Sequence, residues 1–64
     1  MRREAVLKTA SVGAVVVINS GGVLGNYIVQ AVGDDYLQLE YLEKDGGDID
    51  CRIGFRSIVG ICAG

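Results

Sequence analysis

Two stretches of alternating apolar and polar residues flank a glycine pair, and they constrain the fold of this chain most strongly. In residues 36–43 the alternation brings Leu37 and Leu39 to one face. In residues 48–55 it brings the apolar residues at odd positions to one face: Ile49, Cys51, Ile53 and Phe55. A period of two is typical of a strand with one covered face. The glycines at 46–47, between two aspartates, are typical of a hairpin turn. The sequence therefore predicts an antiparallel hairpin whose core face carries the two leucines.

Three further apolar segments extend the strand pattern. Residues 12–19 contain four consecutive β-branched residues, residues 23–32 form a longer segment, and residues 58–62 come last. Because β-branched residues are enriched in strands, we expect three more strands here. Gly25, inside the long second segment, predicts a kink or bulge. Residues 56–57 allow only a tight, one-turn connection between the fourth and fifth strands.

The N-terminal segment predicts a short helix. Residues 2–9 are rich in Ala, Leu, Glu, Lys and Arg, which are good helix formers. So short a helix is marginal alone, so we expect an apolar stripe that includes Val6 to dock on the core. Five short strands with glycine-rich turns favour a small barrel. The expected fold is all-β: one domain over 1–64, with a helix within 1–10 and an SH3-like barrel of five strongly bent antiparallel strands over 12–63.

The first and last strands raise the question of how sheet edges are protected. Neither the run Val15–Ile18 nor the run Ile58–Cys62 contains Lys, Pro or an inward-facing charge. Those are the devices that normally protect a free edge. Two arrangements remain open. Either the barrel closes on itself and uses up its own edges, or the edges pair between subunits, head to tail, into a ring.

Composition argues against several classes of function. The net charge is −2 and the isoelectric point is near 4.7, which argues against a diffuse, basic nucleic-acid-binding surface. The chain has no histidine, and its two cysteines do not form a CxxC pair. We therefore expect no enzyme, no metal site and no cofactor. No apolar stretch approaches the roughly 20 residues of a membrane span, and unpaired cysteines suit a cytoplasmic protein.

Three segments together resemble a known family. Residues 12–17 read VGAVVV, residues 32–39 read VGDDYLQL and residues 55–61 read FRSIVGI. With the short helix before them, these segments make the chain similar to the Sm-like proteins (Sm, Lsm and bacterial Hfq-type proteins). The resemblance covers nearly the whole chain. A compact chain of this kind is more typical of a bacterial, archaeal or phage protein than of a eukaryotic one.

The resemblance implies a helix-capped barrel of five strands that assembles with copies of itself. In the family, the fourth strand of one subunit pairs with the fifth strand of its neighbour, and the ring binds single-stranded RNA. For this chain we expect a homo-oligomeric ring of five to seven subunits. The residues expected at the oligomer interface lie in the fourth and fifth strands and their connection: Cys51, Ile53, Phe55, Ile58, Val59 and Ile61.

The resemblance also implies an RNA site in each subunit. Asp34 is expected to order the loop, Tyr36 to stack on a base and Gln38 to hydrogen-bond the base edge. Arg56 matches the basic residue of the second motif, where it would contact a phosphate or hold a base against Tyr36. Ser57 stands where the family usually has glycine.

The expected function is low-specificity binding of single-stranded, U- or A-rich RNA, as an RNA chaperone or RNA-processing scaffold. The alternative is a small-barrel protein-interaction module without RNA binding, which the acidic composition favours. In that case Tyr36 is a solvated aromatic residue, and Arg56 forms an ion pair with Asp34 or Asp35. We expect Cys51 to act as a small core hydrophobe, while Cys62 lies in the interface-prone last strand.

Overall fold

The computed structural model describes residues 1–42 and 48–64, with only the backbone described for Asp48. The predicted hairpin turn at residues 45–48 therefore falls largely outside the described residues. In chain order the elements are the helix α1 (Arg3–Leu7), the strands β1 (Val15–Ser20), β2 (Val23–Val32), β3 (Tyr36–Leu42) and β4 (Asp48–Gly54), a 3-10 turn (Phe55–Ser57) and the strand β5 (Ile58–Ala63). The five strands form one antiparallel sheet in the order β4-β3-β2-β1-β5, which confirms the all-β prediction.

The core lies between α1 and one face of the sheet. Leu37 and Leu39 are fully buried, as their alternation predicts, and Val16 and Ile18 are fully buried on β1. Val6 docks α1 on this face and is fully buried as well. The buried apolar residues form a single cluster: Val6, Ala10, Val16, Ile18, Val29, Leu37, Leu39, Phe55 and Ile58.

The apolar first strand is paired on both sides within the chain. β1 lies between β2 and β5 and pairs with both. Its pairing with β2 follows from a tight turn in which Gly21 and Gly22 have φ of 62° and 92°, a region that glycine adopts without strain. The two ends of the sheet are β4 and β5. Among the described residues, β4 pairs only with β3 and β5 only with β1, so each has one open side.

The helix and the first strand are both shorter than predicted, because turns occupy the residues between them. The Ser11 N–H donates to the Thr9 carbonyl at 3.2 Å, and the Ala14 N–H donates to the Ser11 carbonyl at 2.9 Å. Gly13 has a φ of 87°, which interrupts regular structure before Val15. The helix α1 therefore ends at Leu7, and backbone hydrogen bonds of turns follow it.

The irregularity in β2 lies at Gln30 and not at Gly25. Val29 pairs with Leu39 and Ala31 with Gln38, so Gln30 is an extra residue of the bulge kind. Gly25 pairs with Ile18 in unbroken register. Its missing side chain serves another purpose, because a Cβ there would lie 2.6 Å from the Tyr27 hydroxyl and 2.8 Å from its ring. Gly25 thus admits the Tyr27 side chain over the backbone of β2.

Among the described residues, no helix has both the length and the apolar character needed to cross a bilayer.

Candidate nucleic-acid interface

The register of the β3–β4 hairpin brings three polar and aromatic side chains together on the face opposite the core. Gln38 lies opposite Arg52, and Tyr36 lies opposite Gly54. Successive side chains of a strand point to opposite faces. Because Leu37 and Leu39 point into the core, Tyr36 and Gln38 point outward.

Arg52 contacts both of its neighbours in this cluster. Its Nε–H donates to the Gln38 Oε1 atom across 2.8 Å. Its guanidinium carbon lies 5.0 Å from the centroid of the Tyr36 ring, which is within the range of a cation–π contact. Arg52 is exposed, while Tyr36 and Gln38 are half-buried. We call these three residues the outer-face cluster.

The turn between β2 and β3 holds the Tyr36 ring in place. The Gly33 N–H donates to the Tyr36 carbonyl at 2.8 Å and closes the turn around the two aspartates. A Cβ at position 33 would overlap three atoms of the Tyr36 ring, so the ring lies directly against the Gly33 backbone. The turn therefore fixes the position of the Tyr36 ring on the outer face of the sheet.

Arg56 lies on a different feature, the 3-10 turn after β4. It is exposed and, with Asp35, Gly54 and Phe55, lines a depression of about 380 Å³. The Phe55 N–H donates to the Asp35 carbonyl at 2.8 Å, which fastens this turn to the loop before β3. Among the described residues, Arg56 forms no ion pair with either Asp34 or Asp35, and the cation over Tyr36 is Arg52.

The remaining residues of the predicted RNA site are Asp34 and Ser57. Both are exposed, Asp34 in the loop before β3 and Ser57 in the 3-10 turn after β4. The N-terminal ammonium of Met1 lies beside this turn. It donates to the carbonyls of Phe55 at 2.5 Å and Ile58 at 2.9 Å. The terminal ammonium and the exposed Arg56 guanidinium therefore lie near the exposed residues Asp34 and Asp35.

Arg52 is not among the residues predicted for the RNA site, because its place beside Gln38 depends on the register of the hairpin. Every β3–β4 pair is equidistant in sequence from position 45, from Leu42 with Asp48 to Tyr36 with Gly54. A turn centred on the glycine pair at 46–47 would instead place Phe55 opposite Gln38. Alternation gives the face of each residue, but the partner across the hairpin follows only from the register.

An apolar groove lies at the opposite end of the β3–β4 pair from Tyr36, beside the open side of β4. Its volume is about 270 Å³. The rings of Tyr27 and Tyr41 line it, with centroids 5.4 Å apart and planes tilted by 49°. Of the other lining residues, Val23 and Leu24 are about two-thirds exposed and Ile49 is half exposed. We call it the tyrosine groove, and its lining residues are Val23, Leu24, Tyr27, Tyr41, Ile49 and Cys51.

Two titratable groups of the groove have raised pKa values. Burial raises the pKa of Tyr27, and the neighbouring Cys51 and Tyr41 raise it further. Burial also raises the pKa of the Cys51 thiol, with a smaller contribution from the Asp50 carboxylate. Both groups therefore keep their protons at neutral pH.

The residues predicted for the oligomer interface differ in their exposure. Phe55 and Ile58 belong to the core of the single chain, with 6% and 2% exposure, so they have almost no surface that a second chain could contact. Val59 on β5 is 68% exposed. Cys51, Ile53 and Ile61 are half-buried at the margin of the core. The surface that a neighbour can cover on these strands is therefore centred on Val59 and on the margin residues.

No group of three or more His, Cys, Asp or Glu side chains within the described residues is arranged to hold a metal ion. Comparison with known proteins gave no match to a family model, to a curated protein or to a solved structure.

Proposed function

We propose that the five-stranded sheet of this chain closes into the expected SH3-like barrel and that the chain assembles into a homo-oligomeric Sm-like ring. The ring binds single-stranded RNA in the cytoplasm. The observation that carries the proposal is the strand order β4-β3-β2-β1-β5, which leaves one open side at each end of the sheet. The two free cysteines suit a reducing compartment.

The open sides supply the assembly contact. An edge strand presents unpaired N–H and C=O groups that template pairing with another chain. β5 carries no charged residue and no proline, so nothing in its sequence opposes pairing. Pairing β5 of one subunit with β4 of the next uses two different surfaces, and such a head-to-tail contact closes into a ring when the rotation allows.

The tyrosine groove supports the same assembly. Ile49 and Cys51 belong to β4 and also line the groove, so a strand added to the open side of β4 runs along it. The occupant we assign is β5 of a second copy, with Val59 as its most exposed apolar side chain. The apolar side chains that the isolated subunit leaves in water would then be covered.

The outer-face cluster supplies the RNA site. Bases stack on aromatic rings and on guanidinium planes, and Tyr36 with Arg52 offers both. Stacking contributes about 1–3 kcal/mol per base, whereas an exposed cation–π contact contributes about 0.5–1 kcal/mol. Stacking of a base on Tyr36 or Arg52 therefore contributes more binding free energy than the contact between these two side chains contributes to stability. Gln38 lies at the platform's edge, where the edge of a stacked base would meet it.

Repetition around the ring offsets the weak electrostatic attraction of an acidic protein. At a net charge of −2 per chain, few phosphates can be neutralised. Several identical sites on one strand of RNA act through effective concentration instead. The binding constant should accordingly depend only weakly on salt.

The second candidate function is a protein-interaction module of the same fold. The observation that favours it is that Arg52 already occupies Tyr36 and the carbonyl of Gln38 within the chain. In that case the cluster is a structural contact of the hairpin, and RNA has no free site.

Titration of fluorescent oligo-U and oligo-A at low and high salt distinguishes the two candidates. We expect binding with a shallow salt dependence, lost by about tenfold or more in Tyr36→Ala and retained in Tyr36→Phe, which keeps the ring. Absence of binding to either oligonucleotide, or a Tyr36→Ala variant with full affinity, would refute the RNA function.

A further inference from the structure

We infer that Cys51 of one subunit and Cys62 of the next form a disulfide across the subunit junction when hydrogen peroxide oxidises the ring, so that oxidation locks the assembly covalently. The inference rests on the proposed assembly through β4 and β5. It assigns a role to the two cysteines of the chain, which are both free within the subunit.

Each open side of the sheet carries one of the two thiols. Cys51 is the middle residue of β4, and Cys62 is the second-to-last residue of β5. Three strands stand between β4 and β5 in the strand order of the subunit. A junction between β5 of one subunit and β4 of the next instead brings the two thiols onto neighbouring strands.

The strand directions decide which faces of two joined subunits lie on the same side. All four strand pairs of the described sheet are antiparallel, so β4 and β5 run in the same direction while their open sides face opposite ways. An antiparallel junction, which continues this pattern, therefore turns the next subunit over. The core face of one subunit then lies on the same side of the joined sheet as the outer face of the next.

The two cysteines lie on opposite faces of their own subunit, as such a junction requires. Cys51 lies opposite the buried Leu39 and packs at the margin of the core. Cys62 is exposed and lies opposite Val17, whose neighbour Val16 is fully buried, so Cys62 is on the outer face. In the antiparallel junction the two side chains therefore point to the same side. A parallel junction would place them on opposite sides of the sheet.

The register that sets the two cysteines opposite each other also suits the residues beside them. It pairs residues 59–63 of β5 with residues 50–54 of β4. Ile61 then lies opposite Arg52, whose aliphatic stem can cover it, whereas a shift by two residues would place Ile61 opposite the Asp50 carboxylate. Directly opposed residues of antiparallel strands have Cα atoms about 4.5–5.5 Å apart, within the roughly 4.4–6.8 Å that a disulfide spans.

Hydrogen peroxide supplies the oxidant for this bond. The exposed Cys62 reacts first: its thiolate attacks one peroxide oxygen and becomes a sulfenic acid, and the other oxygen leaves as water. The Cys51 sulfur of the adjoining subunit loses its proton, attacks the sulfenic sulfur and displaces a second water, which forms the S–S bond. Two thiols thus give up two electrons to one peroxide, and the products are one disulfide and two water molecules.

The order of these steps follows from the surroundings of the two thiols. Cys51 is half-buried in the tyrosine groove, and burial raises the pKa of its thiol. It therefore reacts only with a sulfur that the junction holds beside it.

The test oxidises the reduced, intact protein with hydrogen peroxide and separates the products on a denaturing gel without reductant. Because each subunit has one cysteine on each open side, we expect a ladder of covalent species in steps of 6.7 kDa up to the closed ring. Dithiothreitol should return the ladder to monomer. Trypsin digestion of the dimer band should release residues 45–52 linked to residues 57–64, the peptides that contain the two cysteines.

Two single variants and their mixture distinguish this junction from random thiol oxidation. Cys51→Ala and Cys62→Ala keep one cysteine each, so neither should form a ladder, and both should retain the ring mass in native mass spectrometry. When the two variants are unfolded and refolded together, mixed rings bring one Cys51 beside one Cys62. We expect about fivefold more covalent dimer in the mixture than in either variant alone, because opposed thiols have a high effective concentration.

The outcomes separate this inference from the assembly on which it rests. If the reduced wild-type protein is a monomer in native mass spectrometry, the ring and the inference both fail. If it forms a ring but peroxide yields no ladder, the ring stands and the inference is overturned. The inference is likewise overturned if the linked peptides join two copies of the same cysteine or come from the monomer band.

Discussion

The ring of Tyr36 lies against the backbone of Gly33, and the Gly33 N–H donates to the Tyr36 carbonyl at 2.8 Å. This pair joins the end of β2 to the start of β3 and sets the position of the aromatic ring in the outer-face cluster. The absence of a side chain at position 33 is thus a requirement of the proposed RNA site.

Gly33→Ala should weaken RNA binding without unfolding the protein. The added Cβ overlaps the ring, and a flexible, half-buried ring yields by swinging away from Arg52. We expect about a tenfold loss of affinity for oligo-U, which is within the range for loss of one stacked base. Gly54→Ala is the matched control on the facing strand, since its Cβ meets only the Asp35 carbonyl at an ordinary 3.7 Å. Equal affinities of the two variants would contradict the assigned position of the ring.

Gly25→Ala should destabilise the fold. Its Cβ would lie 2.6–2.8 Å from Tyr27, whose ring packs against Tyr41 in the tyrosine groove. Overpacking of this kind costs about 1–3 kcal/mol of unfolding free energy. Gly60→Ala is the control, because within the described part of the chain its Cβ would have no neighbour within 4 Å apart from the adjoining residues. Urea denaturation of both variants measures the difference, and a Gly25→Ala protein as stable as Gly60→Ala would refute the close packing.

Alkaline pH should destabilise the protein through Cys51 and Tyr27. The ordinary pKa values of these groups are 9.0 and 10.0, and the folded protein raises both. Above the unfolded pKa, the unfolded chain releases a proton that the folded chain retains, so stability decreases as pH rises. The contribution is complete below about pH 9 and is lost as pH rises through the folded values.

Urea denaturation between pH 8 and pH 11 tests this dependence. Cys51→Ala should flatten the part of the profile that begins near pH 9, while Cys62→Ala, which removes an exposed thiol outside the tyrosine groove, should follow the wild type. A profile that rises with pH, or one that Cys51→Ala leaves unchanged, would contradict the assignment.

The sequence predicts those parts of the fold that depend on local pattern. Alternation identifies Leu37 and Leu39 as core residues, and β2 begins and ends where predicted. The position of β1 depends on its pairing with β5, about 40 residues later, and local apolarity cannot report such a pairing. The bulge at Gln30 is hidden for the same reason, because only the pairing with β3 reveals it.

The candidate site follows the same division. Tyr36 and Gln38 are candidates because of the resemblance, and alternation gives their shared face. Arg52 is found only when the hairpin register is known. The exposure of Phe55 and Ile58 likewise depends on how α1 and the 3-10 turn close the core, which the strand pattern does not contain.

Val59→Asp should break the assembly without harming the subunit. Val59 is 68% exposed, so an aspartate there costs the isolated subunit little, but it places a charge in the strand that we pair with the neighbour's β4. Val12 is 69% exposed and precedes β1, outside both open sides, so Val12→Asp is the matched control. We expect Val59→Asp to be monomeric and Val12→Asp to assemble like the wild type. Identical assembly of both variants would exclude β5 from the interface.

Native mass spectrometry of the reduced wild-type protein tests the central claim most directly. A closed ring of five, six or seven chains of 6.7 kDa has a mass of about 33.5, 40 or 47 kDa. We predict one dominant species from this set. A stable monomer or dimer would show that the open sides of β4 and β5 do not join copies into a ring, and the proposed ring would be wrong.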